Sequence, residues 1–243
     1  MRELTIAWMY HDIMDLYGDK GNIIVFKKRC EDRGIKCNVV NVGIDEPYDF
    51  KNCDILFIGG GADKEQGVMY DDLAGRKESI VAAMNDGMLV LLICGGYQLF
   101  GKYYEDADGN KLEGLGIFDY YTVSDGKTRS IGNLVVEATL NGETIKVVGF
   151  ENHGGKTYNV SKPFGKVLYG NGNEANGYEG YFDGRTLGTY MHGPLLPKNV
   201  LIADYFISEA LKRHGDDGVL SQLNDELSIK ARDYMIAKCL KNK

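Results

Sequence analysis

Residues 88–98, Met-Leu-Val-Leu-Leu-Ile-Cys-Gly-Gly-Tyr-Gln, constrain the fold of this chain more than any other stretch. Six apolar residues lead without interruption into Cys94, the pattern of a strand covered on both faces. Gly95 and Gly96 then permit a turn too tight for side chains, and Tyr97-Gln98-Leu99-Phe100 can open a helix. Strand, sharp turn with a cysteine at its apex, then helix is the layout of a nucleophile elbow. Such a turn lifts the thiol to the carboxyl end of the strand, where helix amides can hold an oxyanion. An inert core cysteine at a strand end fits the same residues, because free cysteine is among the most buried residue types. The rest of the chain decides between the two.

The preceding segments alternate in a way that implies parallel strands with crossover helices. Strands are expected at 4–9, 36–42 and 53–58, with helices over 22–33 and 72–86, closed by Gly34 and Gly87. The second half reads differently. Residues 101–116 are rich in Gly and Asp. Residues 133–139 and 144–150 form a hairpin across Asn141-Gly142, a strong turn signal. Residues 165–182 are short strands among glycine and asparagine loops, and a strand over 186–191 ends at His192-Gly193-Pro194. Helices follow at about 199–213 and 225–240, the last with Leu227, Ala231, Tyr234 and Met235 near one face, either packed on the core or facing a sheet edge or partner. No repeat or linker divides the chain, so residues 1–243 are expected to form one domain.

Composition narrows the function classes. A net charge of −7 argues against general nucleic-acid or anionic-membrane binding. The N-terminal residues read as a strand rather than a signal peptide, and no apolar run reaches the roughly 18 residues of a membrane span, which points to the cytoplasm. Five scattered cysteines without a CxxC pair disfavour a disulfide framework or a structural zinc site. Neither GxGxxG nor GxxxxGK[ST] occurs, which disfavours nucleotide binding, and no HExxH or other metal-ligand spacing is present.

A cysteine nucleophile needs a base. Of the four histidines, His214 ends an exposed helix and reads as a solvated residue. His192 sits at the carboxyl end of a strand, where sites gather in parallel sheets. His153, in Glu151-Asn152-His153-Gly154-Gly155, is its competitor and marks a second candidate site with Asn152, and His11 is a third option. Gly59-Gly60-Gly61 leaves a strand expected beside the cysteine strand, and its amides can turn toward developing negative charge.

Gly59-Gly60-Gly61, Cys94-Gly95-Gly96-Tyr97-Gln98 and Tyr190-Met191-His192-Gly193-Pro194 together resemble the class I, triad-type glutamine amidotransferases, in their cobyric-acid-synthase-like branch. Leu4-Thr5-Ile6-Ala7, Tyr17-Gly18-Asp19-Lys20-Gly21-Asn22 and Gly149–Gly155 narrow the likeness to the glutaminase subunits of lipid II isoglutaminyl synthases. The resemblance covers essentially the whole chain. It implies a three-layer α/β fold with a mostly parallel central sheet and a nucleophile elbow. It also implies that Cys94 attacks the glutamine side-chain amide and that His192 shuttles the proton. Gly60 or Gly61 with Gly95 would hold the oxyanion, Gln98 would support the substrate, and Arg129 would grip the α-carboxylate in a forked pair.

Many class I members carry an acid two positions after the histidine, where this chain has Pro194. The resemblance implies that a partner, a Mur-ligase-like subunit of the MurT type forming a heterodimer, supplies that acid. On that ground low activity is expected of the isolated chain. The partner would bind ATP and Mg, and any zinc, and would amidate the D-glutamate α-carboxylate of lipid II with the ammonia released here; no cofactor is expected in this chain. Three rival readings remain: an amidotransferase subunit for another carboxylate acceptor such as a cobyrinate, a non-catalytic binding subunit of the same fold, and a peptidase-type cysteine hydrolase.

Overall fold

The computed structural model describes residues 2–174 and 176–241. In chain order it begins with β1 (Glu3–Met9), α1 (Lys20–Glu31), β2 (Lys36–Val42), β3 (Ile55–Ile58), α2 (Asp63–Gly75), α3 (Lys77–Asn85), β4 (Leu89–Ile93) and α4 (Gly95–Phe100). Short strands follow, β5 (Tyr103–Glu105), β6 (Lys111–Glu113) and β7 (Tyr121–Ser124), and then the long pair β8 (Ser130–Leu140) and β9 (Glu143–His153). The chain continues through β10 (Gly155–Tyr158), β11 (Gly165–Tyr169), β12 (Tyr178–Glu179), β13 (Tyr181–Phe182) and β14 (Thr186–Thr189), and closes with α5 (Leu195–Lys198), α6 (Val200–Arg213) and α7 (Glu226–Lys241).

The central sheet has the order β13-β14-β4-β3-β1-β2, and every neighbouring pair is parallel except β13 with β14. The mostly parallel sheet expected from the sequence is therefore present. All five residues of β4 and all four of β3 are buried, as strands covered on both faces must be. Register sets the strand ends abreast: Met9 pairs with Ile58, Ile58 with Leu92, and Ile93 with Thr189. The segments leaving β1, β3, β4 and β14 thus emerge along one edge.

Two further four-stranded sheets, β10-β7-β5-β6 and β12-β11-β8-β9, form the second half. The hairpin β8–β9 turns at Asn141 and Gly142, whose φ angles of 51° and 80° are the two positive values that a type I′ turn requires. The arms run eleven residues each, longer than their apolar cores suggest, because the ladder continues to Ser130 opposite His153.

Some expectations change. The helix expected over 72–86 is two helices, α2 and α3, meeting at Arg76; α2 begins nine residues earlier, where polar residues hide its face. In α7 the buried residues are Ile236 and Cys239, packed on Val135 and Val148 of the third sheet, while Leu227 and Tyr234 are exposed. The helix covers a sheet face through its C-terminal half only.

Asn199 joins the two halves. Its Oδ1 accepts from the Val148 amide at 3.0 Å, and its Nδ2 donates to the carbonyls of Val148 and Leu195, both at 2.8 Å. A buried amide that satisfies three backbone groups is costly to lose, since each orphaned group forfeits about 1–3 kcal/mol. Asn199→Ala is expected to destabilise the fold by about 2–4 kcal/mol in denaturant unfolding; an unchanged midpoint and slope would refute this role.

Candidate active site

Cys94 stands at the apex of the β4–α4 turn with φ 48° and ψ −102°, an uncommon conformation for a side-chain-bearing residue and one typical of strained functional turns. Its amide donates to the Thr189 carbonyl at 2.8 Å, extending the β4–β14 ladder by one bond. The residue is 7% exposed. Behind the turn the Gly96 amide donates to the Gly59 carbonyl at 3.3 Å, which ties the elbow to the glycine segment after β3.

His192 leaves β14 on the same edge and is fully buried. Its backbone exchanges two bonds with Phe150 of β9: His192 donates at 2.7 Å and accepts at 3.2 Å. Its Nδ1 lies 3.2 Å from Oδ2 of Asp19, which is also fully buried. The same oxygen accepts the Gly60 amide at 2.8 Å. Nδ1 therefore carries a proton toward the carboxylate, and Nε2 is left facing the elbow, with no hydrogen-bond partner among the described residues. Burial pulls the imidazole's pKa down, but the negative charge of Cys94 and the contact with Asp19 outweigh it and raise the value to about 10. Gly60 lies against this ring: a Cβ there would sit 2.4 Å from Cε1 of His192 and 3.2 Å from Oδ2 of Asp19.

The sequence leaves open which group orients His192, and in this chain the carboxylate beside Nδ1 is that of Asp19. Position 194 is a proline, and the carboxylate comes instead from the segment between β1 and α1. Nothing local in the sequence marks it, because the histidine it meets lies 173 positions away. Here Asp19 makes no side-chain cap bond to α1, and its carboxylate points to Gly60 and His192. The expected oxyanion role of Gly60 is corrected, since its amide is already given to Asp19. Gly61 follows directly, and the Gly95 amide opens α4, where no intrahelical acceptor exists for it.

Gln98 is not free toward the site. Its Oε1 accepts from Gln66 at 3.1 Å, and its Nε2 donates to the Tyr190 hydroxyl at 3.3 Å, so it braces the elbow from beneath. His153 lies apart from Cys94 and His192 in function: it stacks on Tyr190 with centroids 3.7 Å apart, and its Nδ1 meets the Gly155 carbonyl at 2.7 Å. Its Nε2 lies 3.4 Å from Glu151, which is itself held by the amides of Asn171 and Gly172. Those contacts are structural. Asn152, by contrast, reaches the mouth. Its Nδ2 donates to the Tyr17 hydroxyl at 2.6 Å, and its Oδ1 accepts from Nε of the exposed Arg129 at 2.6 Å. The Tyr17 ring stands edge-on to His192 with centroids 5.0 Å apart. His11 packs on Trp8, and His214 pairs with Asp54 through Nε2 at 2.7 Å.

Behind His192, Glu179 fixes the exit from β14. Its Oε1 accepts from the Thr189 hydroxyl and the Tyr190 amide, both at 2.7 Å. Complete burial pushes its pKa from 4.5 up to about 7, with those two bonds pulling the other way. The unfolded chain therefore ionises first, and stability declines as pH rises from about 4.5 to 7. Glu179→Gln, which keeps the accepting oxygen but cannot ionise, is expected to match the parent near pH 4 and to exceed it by on the order of 3 kcal/mol at pH 8.5. Thermal melts across that range test this, and a constant difference between the two proteins would contradict it.

Comparison with known proteins identifies the family. Residues 5–200 match the CobB/CobQ-like glutamine amidotransferase domain. The chain is 43% identical over 244 residues to a Staphylococcus aureus protein named lipid II isoglutaminyl synthase (glutamine-hydrolyzing) subunit GatD, covering 100% of this chain and 99% of that one. It is 40% identical to the Streptococcus pneumoniae protein of the same name, covering 97% of this chain and 92% of that one. A probable cobyric acid synthase of Methanocaldococcus jannaschii is 32% identical over 74% of this chain but only 38% of its own length. A solved structure described as a glutamine amidotransferase shares the fold, with a TM-score of 0.53 at 13% identity, covering 84% of this chain and 98% of that one. By domain match and by near full-length likeness, the chain belongs to the CobB/CobQ-like glutamine amidotransferase family.

Proposed function

We propose that this chain is the glutamine-hydrolysing subunit of a lipid II isoglutaminyl synthase. It releases ammonia from L-glutamine for a Mur-ligase-like partner, which uses ATP and Mg to amidate the D-glutamate α-carboxylate of lipid II at the cytoplasmic face. The observation that carries this reading is the end-to-end match to two proteins named as such subunits. The cobyric acid synthase likeness, limited to 38% of that relative's length, gives weaker support to a cobyrinate-type acceptor.

The geometry supports the hydrolytic half. Nε2 of His192 takes the Cys94 thiol proton as the sulfur attacks Cδ of the glutamine side chain. The carbonyl oxygen becomes an oxyanion, for which Gly61 and Gly95 offer the amides. Nε2–H of His192 then protonates the nitrogen, the C–N bond breaks, and ammonia leaves behind a glutamyl thioester. Neutral His192 next takes a proton from water, and the hydroxide oxygen attacks the thioester carbon. Cleavage of the C–S bond releases glutamate, and the imidazolium returns its proton to the sulfur. Arg129, exposed at the mouth, can exchange its bond to Asn152 for a forked pair with the substrate α-carboxylate.

Glutamate release by the chain co-purified with its ligase partner tests the reading, followed by amidation of lipid II with ATP. Cys94→Ala is expected to lower release by more than ~10³-fold. Gly60→Ala, which forces the His192 ring aside, is expected to lower it by on the order of 100-fold. Undiminished release from Cys94→Ala would end the nucleophile assignment, and amidation of a cobyrinate but not of lipid II would change the acceptor.

A further inference from the structure

The donors offered to developing negative charge are two glycine amides, and a glycine backbone holds no direction of its own. Some other group must hold the Gly61 segment against the elbow. We propose that Gln66 of α2 is the positioning residue of the oxyanion site: its side-chain amide ties the Gly61 carbonyl to the elbow helix, so that the Gly61 and Gly95 amides are set before glutamine enters. The proposal rests on the glutaminase reading above and adds which side chain sets its oxyanion donors.

Gln66 is 1% exposed. Its Nε2 donates to the Gly61 carbonyl at 3.3 Å and to Oε1 of Gln98 at 3.1 Å. A carbonyl only accepts, so the group facing Gly61 is the NH2 end, and both of its protons are used. That orientation fixes the next one: Gln98 turns its oxygen to Gln66 and its Nε2 to the Tyr190 hydroxyl at 3.3 Å. The hydroxyl in turn meets Oγ1 of Thr157 at 2.6 Å. One hydrogen-bonded chain therefore runs from the segment after β3, through α2 and α4, to the residue two places before His192.

Close packing marks the same join. A Cβ on Gly95 would lie 3.0 Å from Nε2 of Gln66 and 3.2 Å from the Gly61 carbonyl, so both glycines and the amide meet at one point. The peptide before Gly61 is held from another side, where the Leu16 amide donates to the Gly60 carbonyl at 3.0 Å. In a trans peptide the N–H points opposite the C=O, so this bond directs the Gly61 N–H away from Leu16. With Gln66 on its own carbonyl, Gly61 is clamped at both flanking peptides.

The far end of the amide argues that position 66 is kept for its donors. Oε1 of Gln66 accepts from no group among the described residues. A buried amide with an idle carbonyl stabilises a core less than an apolar side chain of the same shape does. The chain nevertheless carries an amide here, and its protons go to the two segments that form the oxyanion site.

The test uses the full chain co-purified with its ligase partner. Gln66→Glu keeps the length and removes the donors; Gln66→Met removes them without burying a charge. Deleting one oxyanion donor outright costs about 100–1,000-fold, and misdirecting one costs less. Both variants are expected to lower kcat for glutamate release by about 10–100-fold and to leave KM within ~3-fold. L-Glutamate γ-semialdehyde supplies a readout that a merely structural role would not move. The Cys94 sulfur bonds to its aldehyde carbon, the π pair of the C=O moves to oxygen, and His192 takes the thiol proton. An oxyanion thus forms with no group to expel. Its inhibition constant is expected to rise in step with the fall in kcat. Alkylation of Cys94 by iodoacetamide, which forms no oxyanion, should stay within ~2-fold. Wild-type kcat in both variants overturns the proposal. So does a lowered kcat with an unchanged inhibition constant, or one matched by an equal loss of alkylation.

A measurement on the wild type needs no variant. In nitrogen-resolved NMR the two Gln66 side-chain protons should exchange slowly, and their signals should shift when the semialdehyde binds. Exchange as fast as that of exposed glutamines, or signals indifferent to the semialdehyde, overturns the proposal whether or not the variants fold. A wild-type complex that releases no glutamate sinks the glutaminase assignment, whereas an active complex indifferent to both variants sinks the role of Gln66 alone.

Discussion

A carboxylate taken out of water must be met by donors or by positive charge, and the reactive end of this molecule is arranged around how Asp19 meets that demand. One oxygen serves both the Gly60 amide and the His192 ring. Those three residues leave three different strands, β1, β3 and β14. The parallel register brings the strand ends abreast, but register alone would leave their loops free to diverge. The buried carboxylate draws the loops together at one point. The close approach is possible only because position 60 has no side chain, since a methyl group there would occupy the space of the imidazole.

The long hairpin and the strands beside it brace the site. Phe150 holds the backbone of His192 by two bonds, so the long hairpin acts as a brace for a residue that belongs to the other sheet. The Glu179 carboxylate holds Thr189 and Tyr190 just upstream. Asn199 then anchors β9 to α5 through Val148 and Leu195. The imidazole is thus fixed from the side by the hairpin and from behind by β12, and Asp19 fixes its rotation. Three constraints from separate elements leave a catalytic ring little freedom, as a preorganised base requires.

How much of this could be read from the residues follows from the physics of each part. The elbow was legible because a fully buried strand must be apolar throughout and its reversal must be glycine-rich, and both marks fall within residues 88–98. The base at His192 was legible only as one of three histidines, since a strand end says where a side chain emerges and not what it meets. Asp19 carried no local signal, and Gly60 was blurred by the ambiguity of three consecutive glycines. The first nine residues of α2 went unread because its polar residues give no periodic face, and the short strands β5–β7 are too brief to alternate visibly. Long-range partners such as Asp19 with His192, 173 positions apart, leave no periodic trace in a single sequence.

The mouth of the site follows from the same economy of contacts. Tyr17 has a positive φ of 57°, is 43% exposed, and sets its ring edge against His192. Its hydroxyl accepts from Asn152, and Asn152 in turn accepts from Arg129. Segments after β1, within β9 and before β8 are therefore linked across a cysteine that is nearly closed to solvent. Under the glutaminase reading, a substrate carboxylate is a stronger acceptor for a guanidinium than the neutral Asn152 amide. Binding through Arg129 then competes directly with the contact that holds Asn152, and through it with the hold on Tyr17. Recognition of the α-carboxylate and access to the thiol become two ends of one hydrogen-bonded chain, anchored on the ring that Asp19 keeps in place.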